Sequence, residues 1–438
     1  MNLKTINFDN AFLKKNNSFP HLFNVIATLC LVLITCSVFA APQTWVGTWS
    51  TAPQQMRSND MPPSPGLTNN SLRQVVRVSI GGSTLRVKFS NEFSNSAVTM
   101  KSVQIAVSTG GSAINVSTSK ELKFKNIPDV TMDAGTTVTS DPVAFKLAPG
   151  MVLAITINFG QTSATMTGHP GSRTTSYILT GNTTAKADFT GAAEIEHWYC
   201  IDAIDVQATS KTGCVAVLGN SITDGRGTTT NKQNRWTDIL SERLLANRNT
   251  KNVGVLNLGI GGNSVVAGGL GQPGAVRYDR DILNQSGVRW AIVFEGVNDI
   301  GAIKTSEAAV KTTKNLIDAY KLMIAKAHNK NIRIYGATIP PFKGNSYYNQ
   351  YSDSSRNAVN EWIRHSGNYD GIIDFCKTMA DPQDTTRITT SYQNDHLHPD
   401  AAGYKKMGES IDLKLFIAKL RFFRGDKTKT ESIALNIN

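Results

Sequence analysis

Cys214-Val215-Ala216-Val217-Leu218 runs directly into Gly219-Asn220-Ser221-Ile222-Thr223-Asp224-Gly225. The first five residues are continuously apolar, the pattern of a strand buried on both faces of a parallel sheet. The next seven place turn formers around a single serine hydroxyl. The same alternation recurs downstream, with short apolar runs at 253–258, 291–294, 332–337 and 372–375 and helical patterns between them. Trp236, Leu240 and Leu244 fall on one helical face. Val310, Ile317, Tyr320 and Ile324 are expected on another, behind a Ser306 cap with Glu307 in the first turn. Strands alternating with helices predict an α/β fold in three layers, whose reactive loops lie at the carboxyl ends of parallel strands.

Upstream the period changes. From about residue 44 to 206 the chain reads as short strands separated by Gly, Ser, Thr and Pro, which predicts an antiparallel β-sandwich. Val76, Val78 and Ile80 alternate with polar residues, and after Gly81-Gly82 so do Leu85, Val87 and Phe89. That pattern is expected to form a hairpin. Met61-Pro62-Pro63-Ser64-Pro65-Gly66 reads as an exposed loop.

Four blocks stand at the ends of the downstream strands. They are the Gly219–Gly225 segment, Gly259-Ile260-Gly261-Gly262-Asn263, Gly296-Val297-Asn298-Asp299 and Asp395-His396-Leu397-His398-Pro399. Each alone is commonplace. In this order they resemble the four sequence blocks of the SGNH, or GDSL, hydrolases, a family of esterases and lipases. The Trp45-Val46-Gly47-Thr48-Trp49-Ser50-Thr51-Ala52-Pro53 segment and the β-rich region resemble the N-terminal part of a two-domain bacterial and fungal subgroup. The resemblance implies a flavodoxin-like α/β/α domain, Ser221 as nucleophile, Asp395 and His398 as its partners, and no cofactor or metal. It also implies an oxyanion hole of the Ser221 and Gly262 backbone N–H groups and the Asn298 amide. The family usually has Asp before the nucleophile. Here Asn220 stands there, similar in shape but uncharged, and the turn is expected to survive with an altered pH dependence.

Elementary chemistry leads to the same assignments. A serine hydroxyl is a weak nucleophile that needs a positioned base, and a histidine titrating at about 6.5 suits the task. Asp395, three residues before His398, can orient the second ring nitrogen and stabilise the imidazolium. His396 is the rival base, but the D-x-x-H spacing selects His398. His169, His197, His328 and His365 adjoin no such block and are expected to be surface or structural residues. Glu295, ending an apolar strand, reads either as pocket lining or as one half of a buried ion pair. Asp224 and Asp299 are expected to brace their turns.

The chain has 438 residues, 40% hydrophobic and 18% charged, which excludes a disordered polymer. At roughly 100–200 residues per domain, two domains are the natural expectation. Residues 1–40 read as a signal peptide cleaved after Ala40, with Lys4, Lys14 and Lys15 before an apolar run ending in Val38-Phe39-Ala40. The predicted domains follow as 41–206, β-sandwich, and 207–420, catalytic, with a basic tail at 421–438. The product is expected to be secreted or periplasmic, with no stable membrane span. An oxidising compartment allows a Cys200–Cys214 disulfide, which spacing alone leaves open.

Lys and Arg number 45 against 33 Asp and Glu, a formal charge of +12. The densest basic stretch, 419–429, reads as a solvated tail, so no nucleic-acid partner is expected. Gly269-Leu270-Gly271-Gln272-Pro273-Gly274 fits a dinucleotide pattern but lacks the strand-to-helix context that such a site needs. Thr223 stands where a G-x-S-x-G elbow requires glycine, which disfavours the α/β-hydrolase family. The expected substrate is a small-molecule or polysaccharide ester with a short acyl group, by analogy, since no long apolar lid is visible. The alternatives are a lipase acting on longer lipid esters, and a carbohydrate-binding protein with an inactive hydrolase domain. Oligomeric state is not legible.

Overall fold

The computed structural model describes residues 43–417. The leader expected at 1–40, and the tail expected at 421–438 with its basic stretch, lie outside the described residues.

The second half follows the expected alternation. Five parallel strands run in the spatial order Val253–Gly259, Gly213–Gly219, Val288–Phe294, Arg333–Ala337 and Gly371–Ile373. With the strands counted along the chain this order is 2-1-3-4-5, the flavodoxin-like winding, whose crevice opens between the first and third strands. Successive side chains of Gly213–Gly219 point to opposite faces. Cys214, Ala216 and Leu218 enter one apolar cluster with Leu316, Tyr320 and Val359, whereas Val215 and Val217 pack against Trp236, Leu240, Leu244, Tyr404 and Met407. Helices therefore cover both faces, and each fully buried Val or Leu contributes about 1.5–3 kcal/mol.

The long helix Ser306–Asn329 differs in detail from expectation. Thr305 is its cap, accepting from the Ala308 N–H, and Ser306 is already helical. Val310 is 70% exposed, because the buried stripe runs through Ala309, Leu316, Tyr320, Met323 and Ala327.

The first half consists of antiparallel sheets. One orders the strands Ala193–Ile195, Ser176–Leu179, Ser71–Arg77, Val152–Phe159, Val98–Gly110 and Ala113–Leu122. A second contains Gln43–Ser50, Ile201–Thr209 and Gly82–Ser90. The hairpin expected around Gly81-Gly82 does not form. Ser71–Arg77 pairs with Val152–Phe159, and Gly82–Ser90 pairs with Ile201–Thr209 in the other sheet. Residues 78–81 cross between sheets because Thr48 takes up their polar groups. Its hydroxyl donates to Ile80 O at 2.7 Å, and its carbonyl accepts from the Ser79 hydroxyl at 2.6 Å. Val76, Leu85, Val87 and Phe89 still face one shared core, so the alternation reports burial correctly while misreporting the partner.

That core also contains Leu256, Leu258 and Val293 of the parallel sheet. Cys200 and Cys214 are both buried free thiols, and burial pushes the Cys200 thiol up to about 12. The possible Cys200–Cys214 bridge is therefore absent. None of the described helices is long and apolar enough to cross a membrane.

Candidate active site

Ser221 opens the four-residue helix Ser221–Asp224 at the carboxyl end of the first parallel strand. Asn220 caps it, its side-chain oxygen accepting from the Ile222 N–H at 3.0 Å. The turn therefore forms with Asn in place of Asp, since the cap needs only an oxygen acceptor. Gly225 ends the helix with φ of 102°, a left-handed conformation that suits glycine.

The Ser221 hydroxyl lies 2.8 Å from His398 Nε2, and His398 Nδ1 donates to Asp395 Oδ2 at 2.7 Å. Asp395 also accepts the N–H groups of His398, at 2.7 Å, and Leu397, at 3.1 Å. Partial burial works to raise its pKa, but these hydrogen bonds outweigh it and leave the carboxyl below its ordinary value. Burial lowers the His398 pKa; Asp395 opposes that effect, while Arg226 and Arg173 add to it. The ring is consequently neutral near pH 7 and able to accept a proton.

Gly262 and Asn298 line the same cleft as Ser221 and His398. Gly262 has φ of +71°, and a Cβ there would come within 3.2 Å of Leu270, so both backbone and space favour glycine. Asn298 donates one amide hydrogen to Asn263 O at 2.7 Å, and its Oδ1 accepts from Tyr347 OH at 3.0 Å. This pair of bonds sets the amide orientation and leaves the second N–H for a ligand. Asp299 braces the neighbouring loop, accepting from Val265 N at 2.9 Å and Val266 N at 3.1 Å. His396 is exposed and turned toward Gln393, away from the serine.

Glu295 is buried beside Asn220. Burial pushes its carboxyl well above the usual range, against the pull of Arg277, whose Nη2 lies 3.8 Å away. It does not line the cleft. Arg277, itself fully buried, donates to Gly219 O at 3.0 Å, Leu258 O at 2.7 Å and Asn263 Oδ1 at 3.0 Å. One guanidinium thus ties the ends of two strands to the Gly262 loop. The sequence offers no sign of this, because Arg277 lies far along the chain from Gly219.

The β-rich half also reaches the site. His169, expected to be structural or on the surface, is buried, with Nε2 2.9 Å from Asp224 Oδ1 and Nδ1 3.0 Å from Ala52 O. Arg173 reaches Asp224 Oδ2 at 3.2 Å, and Arg235 donates to Asp224 O at 2.9 Å. Burial alone would raise the Asp224 carboxyl; His169, Arg173 and Arg235 together hold it below its ordinary value. Gly171 makes this close approach possible, since a Cβ there would fall 2.0 Å from Asp224 Oδ2. His197 accompanies it at the cleft wall, with Nδ1 donating to Pro170 O at 2.8 Å.

The cleft has a volume of about 380 Å³. Among the described residues no group of three or more His, Cys, Asp or Glu side chains could hold a metal ion.

Residues 217–406 match the family model for GDSL-like lipases and acylhydrolases. No curated protein matches the chain. Similar solved structures include a lipolytic protein of the G-D-S-L family from Desulfitobacterium hafniense DCB-2, 21% identical with a TM-score of 0.34, covering 45% of this chain and 97% of that one. A GDSL-like lipase from Bacteroides thetaiotaomicron VPI-5482 is 18% identical with a TM-score of 0.34, covering 46% and 87%. A catalytic mutant of an acetylxylan esterase from Geobacillus stearothermophilus is 16% identical with a TM-score of 0.35, covering 46% and 94%.

Proposed function

We propose that this chain, whose residues 217–406 match the GDSL-like lipase/acylhydrolase family, is a serine esterase working through an acyl-enzyme. The observation that carries the reading is the hydrogen-bonded chain from Ser221 through His398 to Asp395. His398 takes the Ser221 proton as Oγ attacks the ester carbonyl, then delivers it to the departing alkoxide. Asp395 stabilises the imidazolium between those steps. The Ser221 and Gly262 N–H groups and the free Asn298 N–H hold the oxyanion. Water, deprotonated by His398, then releases the acid.

The acyl group in this reading is short, because Leu270 lies against Gly262 at the oxyanion side of the cleft. A carbohydrate-linked acetyl ester fits both that limit and the open, polar wall supplied by the β-rich half. Export to the periplasm or medium belongs to this proposal, supported by the signal-peptide pattern of the sequence at 1–40, and N-terminal sequencing of the processed protein tests it. Covalent labelling by a fluorophosphonate, abolished in Ser221→Ala, tests the nucleophile and separates an esterase from a binding protein. A series of p-nitrophenyl esters tests the acyl preference; faster turnover of C12 than of acetyl or butyryl esters would overturn it.

A further inference from the structure

Arg226 follows directly on the nucleophile's helix, and its side chain is exposed at the cleft wall. Among the described residues its guanidinium has no carboxylate or carbonyl partner; only its own backbone carbonyl is engaged, accepting from Tyr404 OH at 2.7 Å. The anions of the cleft are otherwise matched. Asp60 is held by Arg57 at 2.6 Å and faces His197 at 3.8 Å, and Asp224 is held by His169 and Arg173. Asp395 belongs to His398. Among the described residues Arg226 is therefore the cleft's unmatched cation. Arg173 lies on the same wall, with one guanidinium nitrogen on Asp224 and a buried Nε that has no partner.

Position within the cleft says which part of a substrate these groups meet. His398 must reach both Ser221 Oγ and the oxygen of the departing alcohol, so whatever flanks its ring flanks that alcohol. Gly227, next to Arg226, packs so closely on Pro399, the residue after His398, that a Cβ there would fall 2.4 Å from Pro399 O, and Arg226 and Arg173 line the cleft together with Leu397 and His398, which places them on this flank. Gly262, Asn298 and Leu270 stand on the oxyanion side. A guanidinium with a full set of donors recognises a planar carboxylate bidentately, more strongly than it recognises a neutral hydroxyl.

We propose that the cleft selects esters whose alcohol part carries a carboxylate, with Arg226 as its principal anchor and Arg173 beside it. The inference rests on the esterase reading above and adds the charge of the preferred substrate. Neutral esters lack the Arg226 contact and are turned over less efficiently.

The test compares kcat/KM for 4-acetoxybenzoate and 4-acetoxybenzamide, near-isosteric esters that differ in charge. A charge-assisted contact of this kind corresponds to about tenfold or more in favour of the carboxylate. The expected result is such a ratio for the wild type, falling severalfold in Arg226→Gln, largely restored in Arg226→Lys, and shrinking as salt is raised. A wild-type ratio near one, or a ratio unchanged in Arg226→Gln, overturns the proposal. Binding of 4-hydroxybenzoate and 4-hydroxybenzamide to Ser221→Ala, by calorimetry, tests the anion site without turnover. Preference for the carboxylate supports it, and equal binding overturns it. Failure to hydrolyse either ester with that preference intact overturns the esterase reading alone.

Discussion

His169 Nε2 lies 2.9 Å from Asp224 Oδ1, both side chains almost completely buried. A histidine from the β-rich half thereby holds the last residue of the helix that Ser221 begins. The two architectures meet at the helix that carries Ser221, so the N-terminal strands help to hold that helix in place.

His169→Ala leaves a buried carboxylate with one hydrogen-bond partner fewer. Removing one hydrogen-bond partner from a buried group costs about 1–3 kcal/mol, and a loss within that range is expected here because Arg173 remains. Chemical denaturation should show the lower stability, and ester turnover should fall with it. Unchanged values for both would mean that the contact holds nothing.

The same pair predicts a pH dependence. The Asp224 carboxyl is depressed in the folded protein, so its stabilising contribution is present above the unfolded value of about 3.9 and lost as pH falls through the lower folded value. Thermal unfolding of Asp224→Asn should show a smaller acid-induced drop in Tm than the wild type below pH 4. An equal drop in both would assign acid sensitivity elsewhere.

In the proposed mechanism the titrating group is His398, whose pKa lies below its ordinary 6.5, chiefly through burial. Activity needs the neutral ring, so kcat/KM should rise with pH, with a midpoint below 6.5, and level off near neutrality. Arg226→Gln removes one of the lowering influences and should move that midpoint upward. A midpoint above 7 in the wild type contradicts this account.

Tyr347 OH, 3.0 Å from Asn298 Oδ1, orients the amide that in the proposed mechanism offers its N–H to the oxyanion. Tyr347→Phe should lower kcat about fivefold to tenfold while KM changes little, because the contact matters most when charge develops. Asn298→Ala, which deletes the donor, should cost about 10²–10³ in kcat. Steady-state kinetics on one short ester distinguishes the two.

Asn220→Asp adds a carboxylate beside Glu295, whose own carboxyl burial already pushes well upward. With Arg277 the nearby cation, at 3.8 Å, both acids cannot ionise cheaply, and one takes up a proton. The variant should keep the helix cap, since either oxygen accepts from Ile222 N. It should lose more Tm than the wild type as pH rises above the ordinary carboxyl range, because two raised carboxyls rather than one must then ionise at this site.

Much of the site was readable because its parts are local. Ser221, Gly262 and Asn298 each follow closely on an apolar strand, and a strand followed by a turn is a pattern of a few adjacent residues; the Asp395–His398 pair instead stands well beyond the last strand, Gly371–Ile373, after the helix Phe375–Met379. Asp395 and His398 are three residues apart, a spacing that holds whatever the rest of the chain does. Val310 was misplaced for a related reason: the helical period was right, but apolar character alone did not fix which stripe faces the sheet.

Amino-acid order by itself determined the two architectures, the strand ends and the residue types available for ester chemistry, since burial and turn formation imprint periods of two and 3.6 on neighbouring residues. Tertiary structure alone decided which sheets Ser71–Arg77 and Gly82–Ser90 join, and that Cys200 and Cys214 stay apart. It also brought His169 to Asp224, Tyr347 to Asn298 and Arg277 to Gly219. Each of these contacts joins residues about 50 or more positions apart. No local period encodes such a meeting; it follows from how sheets and loops pack once the core has closed.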